Sequence, residues 1–222
     1  MDLTVYIGHD QREEQAAEVC RFSIRRRSAA LTKFLRSADI PAFKRPREPH
    51  QSTDFTYTRF LVPYLEQFRG WSLFCDCDFL FLEDVNNLLL HMDDSKAVLV
   101  CKHPQYSPNT KLKMDGVEQH RAWRKNWASL ILFNNEHPSN AQLTPDYINR
   151  VNPGIRLHQF GWLEDEEIGS LPLDWNCLDG YYHLHNPKAI HYTDGGPWFD
   201  GYKNTFYSKL WDHEYEMFTR AS

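Results

Sequence analysis

Two aspartates, Asp76 and Asp78, stand one residue apart inside an otherwise apolar and aromatic run over residues 74–81. An ionised carboxylate without a partner is costly to bury, so we expect both to lie where a strand ends and faces a ligand or a cation. Residues two apart on an extended chain point the same way, which leaves Cys75 and Cys77 to pack on the other side. Paired carboxylates suit a hard divalent cation that keeps substrate phosphates in its shell. The alternative is that both carboxylates lie in a surface turn and are simply exposed to solvent.

A histidine follows another predicted strand far along the chain. His191 comes directly after Ala189-Ile190 and precedes a turn that contains Gly195 and Gly196. A single histidine can equally be a structural residue, and both interpretations stay open. An imidazole beside two carboxylates would favour Mn²⁺ over Ca²⁺, with Mg²⁺ as the alternative ion.

The elements that must position these groups alternate between strand and helix patterns. Strands are predicted over 3–7, 71–75, 97–101, 129–133 and 189–192. Helices are predicted over 13–24, 56–68 and 205–218, with a further one capped by Thr144, and a polar loop over 106–116. The last helix is expected to dock through Phe206, Leu210, Tyr215 and Phe218. Residues 29–35 fit either a helix or a strand. This alternation is typical of an α/β fold with a mixed, mostly parallel sheet, whose ligands lie beyond the carboxyl ends of the strands. Residues 8–10, 76–78 and 191 onward fall at such ends.

Length and composition limit the remaining possibilities. The 222 residues fit one domain over 1–222, and the net charge of −5 gives no reason to expect a nucleic-acid partner. Five cysteines without paired spacing argue against a disulfide framework and favour a reducing compartment. We see no signal-peptide pattern and no apolar run of transmembrane length, and therefore expect a cytoplasmic location. The basic clusters at 25–27 and 44–47 are expected at solvated surface, with a phosphate-facing role open for the second.

Four motifs occur in order along the chain. Residues 57–60 followed by Pro63 resemble a Tyr-x-Arg-Leu helix, residues 76–78 an Asp-x-Asp, and residues 171–176 a Leu-Pro-x-x-Trp-Asn segment. Residues 191–198 resemble a His-x-x-Gly-x-x-Lys-Pro-Trp motif that is one residue short and has Gly196 in place of the lysine. In this order the motifs resemble those of nucleotide-sugar-dependent glycosyltransferases of the GT-A fold. The similarity is greatest to glycosyltransferase family 8, which contains glycogenin and bacterial lipopolysaccharide galactosyltransferases.

The resemblance implies a site for a metal ion and a nucleotide. The metal ligands would be Asp76, Asp78 and His191. Nucleotide and diphosphate contacts would come from Ile7, Gly8, His9, Asp10, Tyr57, Arg59, Asp76, Cys77 and Gly195, with Lys203 in place of the missing lysine. A role for Tyr57 in the core of its helix is an equal alternative.

The resemblance also implies the reaction: transfer of a sugar from a nucleoside diphosphate sugar, with UDP as the expected carrier, to a glycan, lipid-linked or protein-linked sugar. It favours retention, in which the leaving phosphate takes the proton and Gln159 lines the front face. Inversion would need a general base, for which Asp165 and Glu164 are candidates, although a solvated acidic face explains them as well. Trp162 and Trp198 would either stack on a sugar or pack in the core.

Two other functions stay open at the level of sequence. A nucleotidyltransferase that makes a nucleotide sugar also uses carboxylate-bound metal, but usually carries a glycine-rich basic loop that Gly8-His9-Asp10-Gln11-Arg12 does not match. A carbohydrate-binding module would use the tryptophans without nucleotide or metal. The family's Asn-Ala/Ser-Gly segment is replaced here by Trp127-Ala128-Ser129, so the sugar contacts are expected to differ.

Overall fold

The computed structural model describes residues 3–48, 51–104 and 123–221, and the loop predicted over 106–116 lies outside these ranges. The strands are β1 Thr4–Gly8, β2 Leu31–Leu35, β3 Trp71–Cys75, β4 Phe79–Phe81, β5 Val98–Cys101, β6 Leu130–Asn134, β7 Ile168–Leu171, β8 Cys177–Leu178 and β9 Ala189–His191. The α-helices are α1 Glu14–Arg25, α2 Val62–Leu65, α3 Pro145–Arg150, α4 Ile155–His158 and α5 Ser208–Ala221. Short 3₁₀ turns occur between several of them.

Six strands form the central sheet in the order β2-β1-β3-β6-β5-β7. Neighbouring strands are parallel except around β6, which runs antiparallel to both β3 and β5. The predicted fold class, a mixed and mostly parallel sheet with flanking helices, is confirmed. Because β6 is reversed, its first residues lie at the same edge of the sheet as the last residues of β1 and β3. The smaller sheet, in the order β4-β9-β8, was not predicted as a separate unit.

Burial patterns explain which segments became central strands. Every residue of β3 and of β6 is buried, as a continuous apolar run requires when both faces of a strand are covered. The segment over 29–35 is a strand, and its alternating exposure fits its place at the sheet edge. The helix predicted over 56–68 is divided: Thr58–Leu61 is 3₁₀, and Pro63 stands in the first turn of α2, where its missing N–H leaves no bond unmade.

The C-terminal helix α5 packs on α1 with part of the docking face that was expected. Phe206 and Leu210 were expected to dock and are instead 60% and 41% exposed. Tyr215 and Phe218 do pack: Tyr215 stacks on Trp211, and Phe218 lies edge-on to Phe22 of α1. Glu214 is buried three residues from Trp211, and apolar character alone did not predict this carboxylate in the face.

Two arginines at the end of α1 hold that carboxylate. Arg27 donates to both oxygens of Glu214 at 2.9 Å, and Arg26 lies 3.1 Å from one of them. The Glu214 side chain is 2% exposed, whereas the two guanidinium groups keep partial contact with solvent. The basic cluster at 25–27 is therefore not simply solvated surface, since two of its members neutralise a buried charge.

None of the helices in the described ranges combines the length and apolar character of a membrane span.

We predict that Glu214→Gln destabilises the protein by about 1–3 kcal/mol, because the buried charged hydrogen bonds to Arg26 and Arg27 are weakened. Glu216→Gln on the same helix is the matched control. Glu216 is 64% exposed in its pair with Arg220, and we expect a loss of less than about 0.5 kcal/mol. Urea unfolding monitored by circular dichroism measures both. Equal midpoints for the two variants would contradict the assigned role of Glu214.

Candidate functional site

Three side chains from two distant parts of the chain meet at the edge of the central sheet. The ligand atoms of Asp76, Asp78 and His191 all lie within 4.8 Å of one another. His191 Nε2 is 3.3 Å from Asp78 Oδ1. The small sheet causes this meeting, because β4 pairs with β9 so that Phe79 stands opposite His191. The main-chain N–H of Tyr192 also donates to the carbonyl oxygen of Asp78 at 3.0 Å.

The two aspartates converge through a turn rather than through the alternation of a strand. β3 ends at Cys75, and residues 76–78 form the turn into β4. The prediction that the carboxylates lie at the end of a buried strand is correct. Cys75 and Cys77 are both buried as predicted, but the Cys77 thiol donates to Glu13, which lines the same cavity as the two aspartates.

A buried asparagine orients the His191 ring. Ser129 Oγ donates to the carbonyl oxygen of Asn126 at 2.7 Å, so it accepts from Asn176 Nδ2 at 3.0 Å. This orients the Asn176 amide with Oδ1 facing His191 Nδ1, 3.0 Å away. Nδ1–H then donates to Asn176, and Nε2 is the ring nitrogen that faces Asp78. Metal-ligating histidines are commonly oriented in this way.

Arg59 lies against the first aspartate in a fixed position. Its Nη1 is 2.8 Å from Asp76 Oδ1 and donates to the carbonyl oxygen of Ala128 at 2.7 Å. Its Nε donates to the carbonyl oxygen of Thr56 at 3.1 Å. With 7% of the side chain exposed, the guanidinium is a nearly buried positive charge with little freedom to move. Arg59 and Asp76 line two adjoining cavities that together form the cleft, one with Asp78 and His191 and the other with Arg124.

Glu13 joins the carboxylates as a buried fourth member that sequence reasoning missed. It is 2% exposed and lines the same cavity as Asp76, Asp78 and His191. Burial, together with the charges of Asp78, Asp10 and Asp76, raises its pKa to about 8. Its Oε2 accepts from the Cys77 thiol at 3.6 Å, and Oε1 finds no hydrogen-bond partner among the described residues.

This arrangement fits a divalent cation on the chemistry of its donors. Oxygen and imidazole ligands converge, excess negative charge is crowded beside them, and a buried carboxylate oxygen lacks a partner. Sequence alone gave little sign of Glu13, because a glutamate near a helix start usually faces solvent. Asn176 did carry a signal, as the last residue of the Leu-Pro-x-x-Trp-Asn segment.

The residues at the end of β1 lie beside this group. Ile7 is fully buried, so its side chain is unavailable to a ligand. Gly8 lies against Phe55, whose ring would be 2.5 Å from an added Cβ. Burial alone would raise the pKa of Asp10, but hydrogen bonds from Arg12 and from the N–H of Asp54 outweigh it and hold the pKa below its usual range. Asp10 is therefore an ionised and well-anchored acceptor.

His9 and Tyr57, two of the predicted nucleotide contacts, have structural partners. The His9 ring lies edge-on to Phe34, 5.3 Å between centroids. Tyr57 is 5% exposed and its hydroxyl donates to Glu48 at 2.6 Å, which favours the role in packing that was left open. Arg45 lies over the Tyr57 ring and donates to main-chain carbonyls. The 44–47 cluster thus contributes at least one structural arginine.

The motif over residues 191–198, called the closing motif below, differs from the family pattern for a steric reason. An added Cβ on Gly196 would lie 2.0 Å from the Trp198 ring, so no lysine fits there while that ring stays in place. Gly195 adopts φ +126°, a conformation that favours glycine, and packs against Tyr202. Lys203, the predicted substitute, is 55% exposed and 3.9 Å from Asp200.

Two of the three predicted catalytic residues, Gln159 and Asp165, are bonded to one arginine. Arg124 lines the cleft, donates to the carbonyl oxygen of Gln159 at 2.7 Å and pairs with Asp165. The Asp165 side chain is 74% exposed. Glu164 caps the 3₁₀ turn that follows it through reciprocal bonds with Glu167. Their catalytic roles stay predictions.

Solved structures share this architecture. WbbM, a bifunctional glycosyltransferase, is 15% identical with a TM-score of 0.66, and the match covers 96% of this chain and 49% of WbbM. GlyE of Streptococcus pneumoniae is 16% identical with a TM-score of 0.64, and the match covers 97% of this chain and 61% of GlyE. The galactosyltransferase LgtC, in complex with donor and acceptor sugar analogues, is 13% identical with a TM-score of 0.60, and the match covers 97% of this chain and 96% of LgtC. This chain thus spans about half of WbbM and about three fifths of GlyE. The predicted resemblance is confirmed at the level of the fold.

Sequence comparison identifies a closer relative. No protein-family model matches the chain. Protein CDI of Arabidopsis thaliana is 41% identical over 230 aligned positions, which cover 98% of this chain and 88% of that protein. Identity of this degree over nearly the whole of both proteins shows that the chain belongs to the same family as Protein CDI.

Proposed function

We propose that this protein is a metal-dependent glycosyltransferase that moves a sugar from a nucleoside diphosphate sugar, with UDP as the carrier, to a hydroxyl of an acceptor. The observation that carries the proposal is the convergence of Asp76, Asp78 and His191 at the ligand-binding edge of the sheet. The fold shared with solved glycosyltransferases supports it, among them LgtC with its donor and acceptor analogues.

Asp76, Asp78 and Nε2 of His191 would hold Mn²⁺ or Mg²⁺, and a bound ion of this kind stabilises the negative charge that develops on a departing diphosphate. Asn176 would keep the imidazole in the tautomer that presents Nε2. Arg59 would add a fixed positive charge beside the leaving group. Because its partners hold it in place, little reorganisation is needed as that charge develops.

The surroundings of the acidic candidates favour retention. The exposed Asp165 is neutralised by Arg124, and Glu164 is engaged in a capping box, so neither is set up as a strong base. In a retaining reaction the leaving phosphate accepts the acceptor's proton and no such base is required. Gln159 would lie beside the reacting sugar, and its main-chain carbonyl already anchors Arg124.

We predict that UDP together with Mn²⁺ raises the melting temperature, since a ligand that binds only the native state stabilises it by about 2.7 kcal/mol at a hundredfold excess over its Kd. Asp78→Asn should abolish the Mn²⁺-dependent part of this shift, whereas Asp94→Asn, at an exposed position away from the cluster, should keep it. Differential scanning fluorimetry with and without EDTA measures the shift. If no nucleoside diphosphate produces one in the wild type, the proposal is wrong.

We predict that Asn176→Ala weakens Mn²⁺ binding by about 10–100-fold, because His191 loses the acceptor that fixes its tautomer. Asn140→Ala is the matched control. Asn140 is equally buried but bonds to carbonyls at the opposite edge of the sheet, so its loss should lower stability and spare the metal affinity. Mn²⁺ titration followed by electron paramagnetic resonance gives both affinities. Equal weakening in the two variants would reduce Asn176 to a packing residue.

A further inference from the structure

One large aromatic side chain at the cleft is open to solvent. Trp123 is 59% exposed and lines the part of the cleft that also contains Arg59 and Asp76. The two tryptophans named as sugar platforms from sequence are packed instead. Trp162 is 8% exposed between aromatic rings, and Trp198 lies against Trp211.

Trp123 is held in place from below. The Arg124 guanidinium lies 4.1 Å from the centre of the Trp123 ring and 5.2 Å from that of Trp127. Arg124 is itself nearly buried, anchored by the carbonyl oxygen of Gln159 and by Asp165. An exposed side chain on a mobile surface would lack such an anchor. The indole is therefore presented as a positioned surface.

The backbone that presents the indole is unusual in a way that points to function. Arg124 and Asn126 both have positive φ, 57° and 62°, and neither is a glycine. Such conformations raise the free energy of the folded state and cluster at ligand sites. Asn126 is fixed in this turn by its bond to Thr193 Oγ1 at 3.0 Å. The turn thus connects the Trp123 surface to the segment that follows His191.

The strand order indicates which substrate the Trp123 side chain could contact. At the site edge, β1 ends in the Gly8–Asp10 segment, β3 ends at the aspartate pair, and β6 begins after Ser129. A nucleoside at β1 and a diphosphate at β3 leave the β6 side for sugars. Trp123 and Ile155, both exposed, line the cleft on that side.

We propose that Trp123 is the platform on which a pyranose ring of the acceptor stacks, an inference that rests on the proposed function. A pyranose presents an apolar face of C–H groups that matches a flat indole, while its hydroxyls need polar partners at the ring edge. Lys125 and Asn126 are polar residues that line the same part of the cleft as the indole. The acceptor class is accordingly a glycan or glycoconjugate with a terminal hexose or pentose ring.

The test compares Trp123→Ala, Trp123→Phe and the control Phe206→Ala, which removes an equally exposed ring from another surface. We expect Trp123→Ala to raise the acceptor KM at least about tenfold, with donor hydrolysis and the UDP–Mn²⁺ melting shift unchanged. Trp123→Phe should recover most of the loss, and Phe206→Ala should behave as wild type. Acceptor probes are the methyl pyranosides of galactose, glucose, N-acetylglucosamine and xylose.

Saturation-transfer NMR with the same methyl pyranosides, without nucleotide or metal, separates this inference from the proposed function. Sugar signals in the wild type that vanish in Trp123→Ala and persist in Trp123→Phe support the platform even if no transfer is found. The inference is overturned if no pyranoside gives a signal in the wild type, or if the signals survive in Trp123→Ala. Loss of UDP binding in Trp123→Ala would also overturn it, by assigning the ring to the nucleotide.

Discussion

The pairing of β4 with β9 is the interaction on which the candidate site depends. The aspartates and the histidine are brought together because Phe79 stands opposite His191 in this short ladder, with the two rings stacked 4.5 Å apart. Every residue of both strands is buried, so the ladder has little room to slip. A one-residue shift in register would send the imidazole to the other face of the small sheet and leave the carboxylates without it.

Four carboxyl groups lie close together beside this pairing, and neighbouring arginines offset only part of their mutual repulsion. Asp10, Glu13, Asp76 and Asp78 gather in a partly buried space, and Arg12 and Arg59 compensate two of them. The raised pKa of Glu13 means that one carboxyl holds its proton near neutral pH. Carboxylates crowded in a partly buried space lower the stability of the folded chain, and a bound divalent cation would offset this cost. Folding energetics and the proposed activity therefore favour the same ligand.

Sequence was most informative where a local pattern determines the structure. The apolar run before Asp76 predicted β3, and Thr144-Pro145 predicted α3, whose first turn is capped by the Thr144 hydroxyl. Contacts between distant segments were harder to predict. The buried carboxylates Glu13 and Glu214 have sequence neighbours typical of helix surfaces, and only packing against another element makes them internal. The role of Asn176 depends on a hydroxyl and an imidazole that are both distant in sequence.

Because Gly196 replaces the lysine of the family motif, the positive charge in the cleft must come from another residue. Gly196 is closed to any side chain by Trp198, which in turn packs on Trp211 of α5. A lysine at this position would have to displace a ring held by the C-terminal helix. Arg59, by contrast, is fixed in the cleft by two main-chain carbonyls. Under the proposed function, the positive charge beside the leaving diphosphate would therefore come from this fixed guanidinium, without a flexible lysine at position 196.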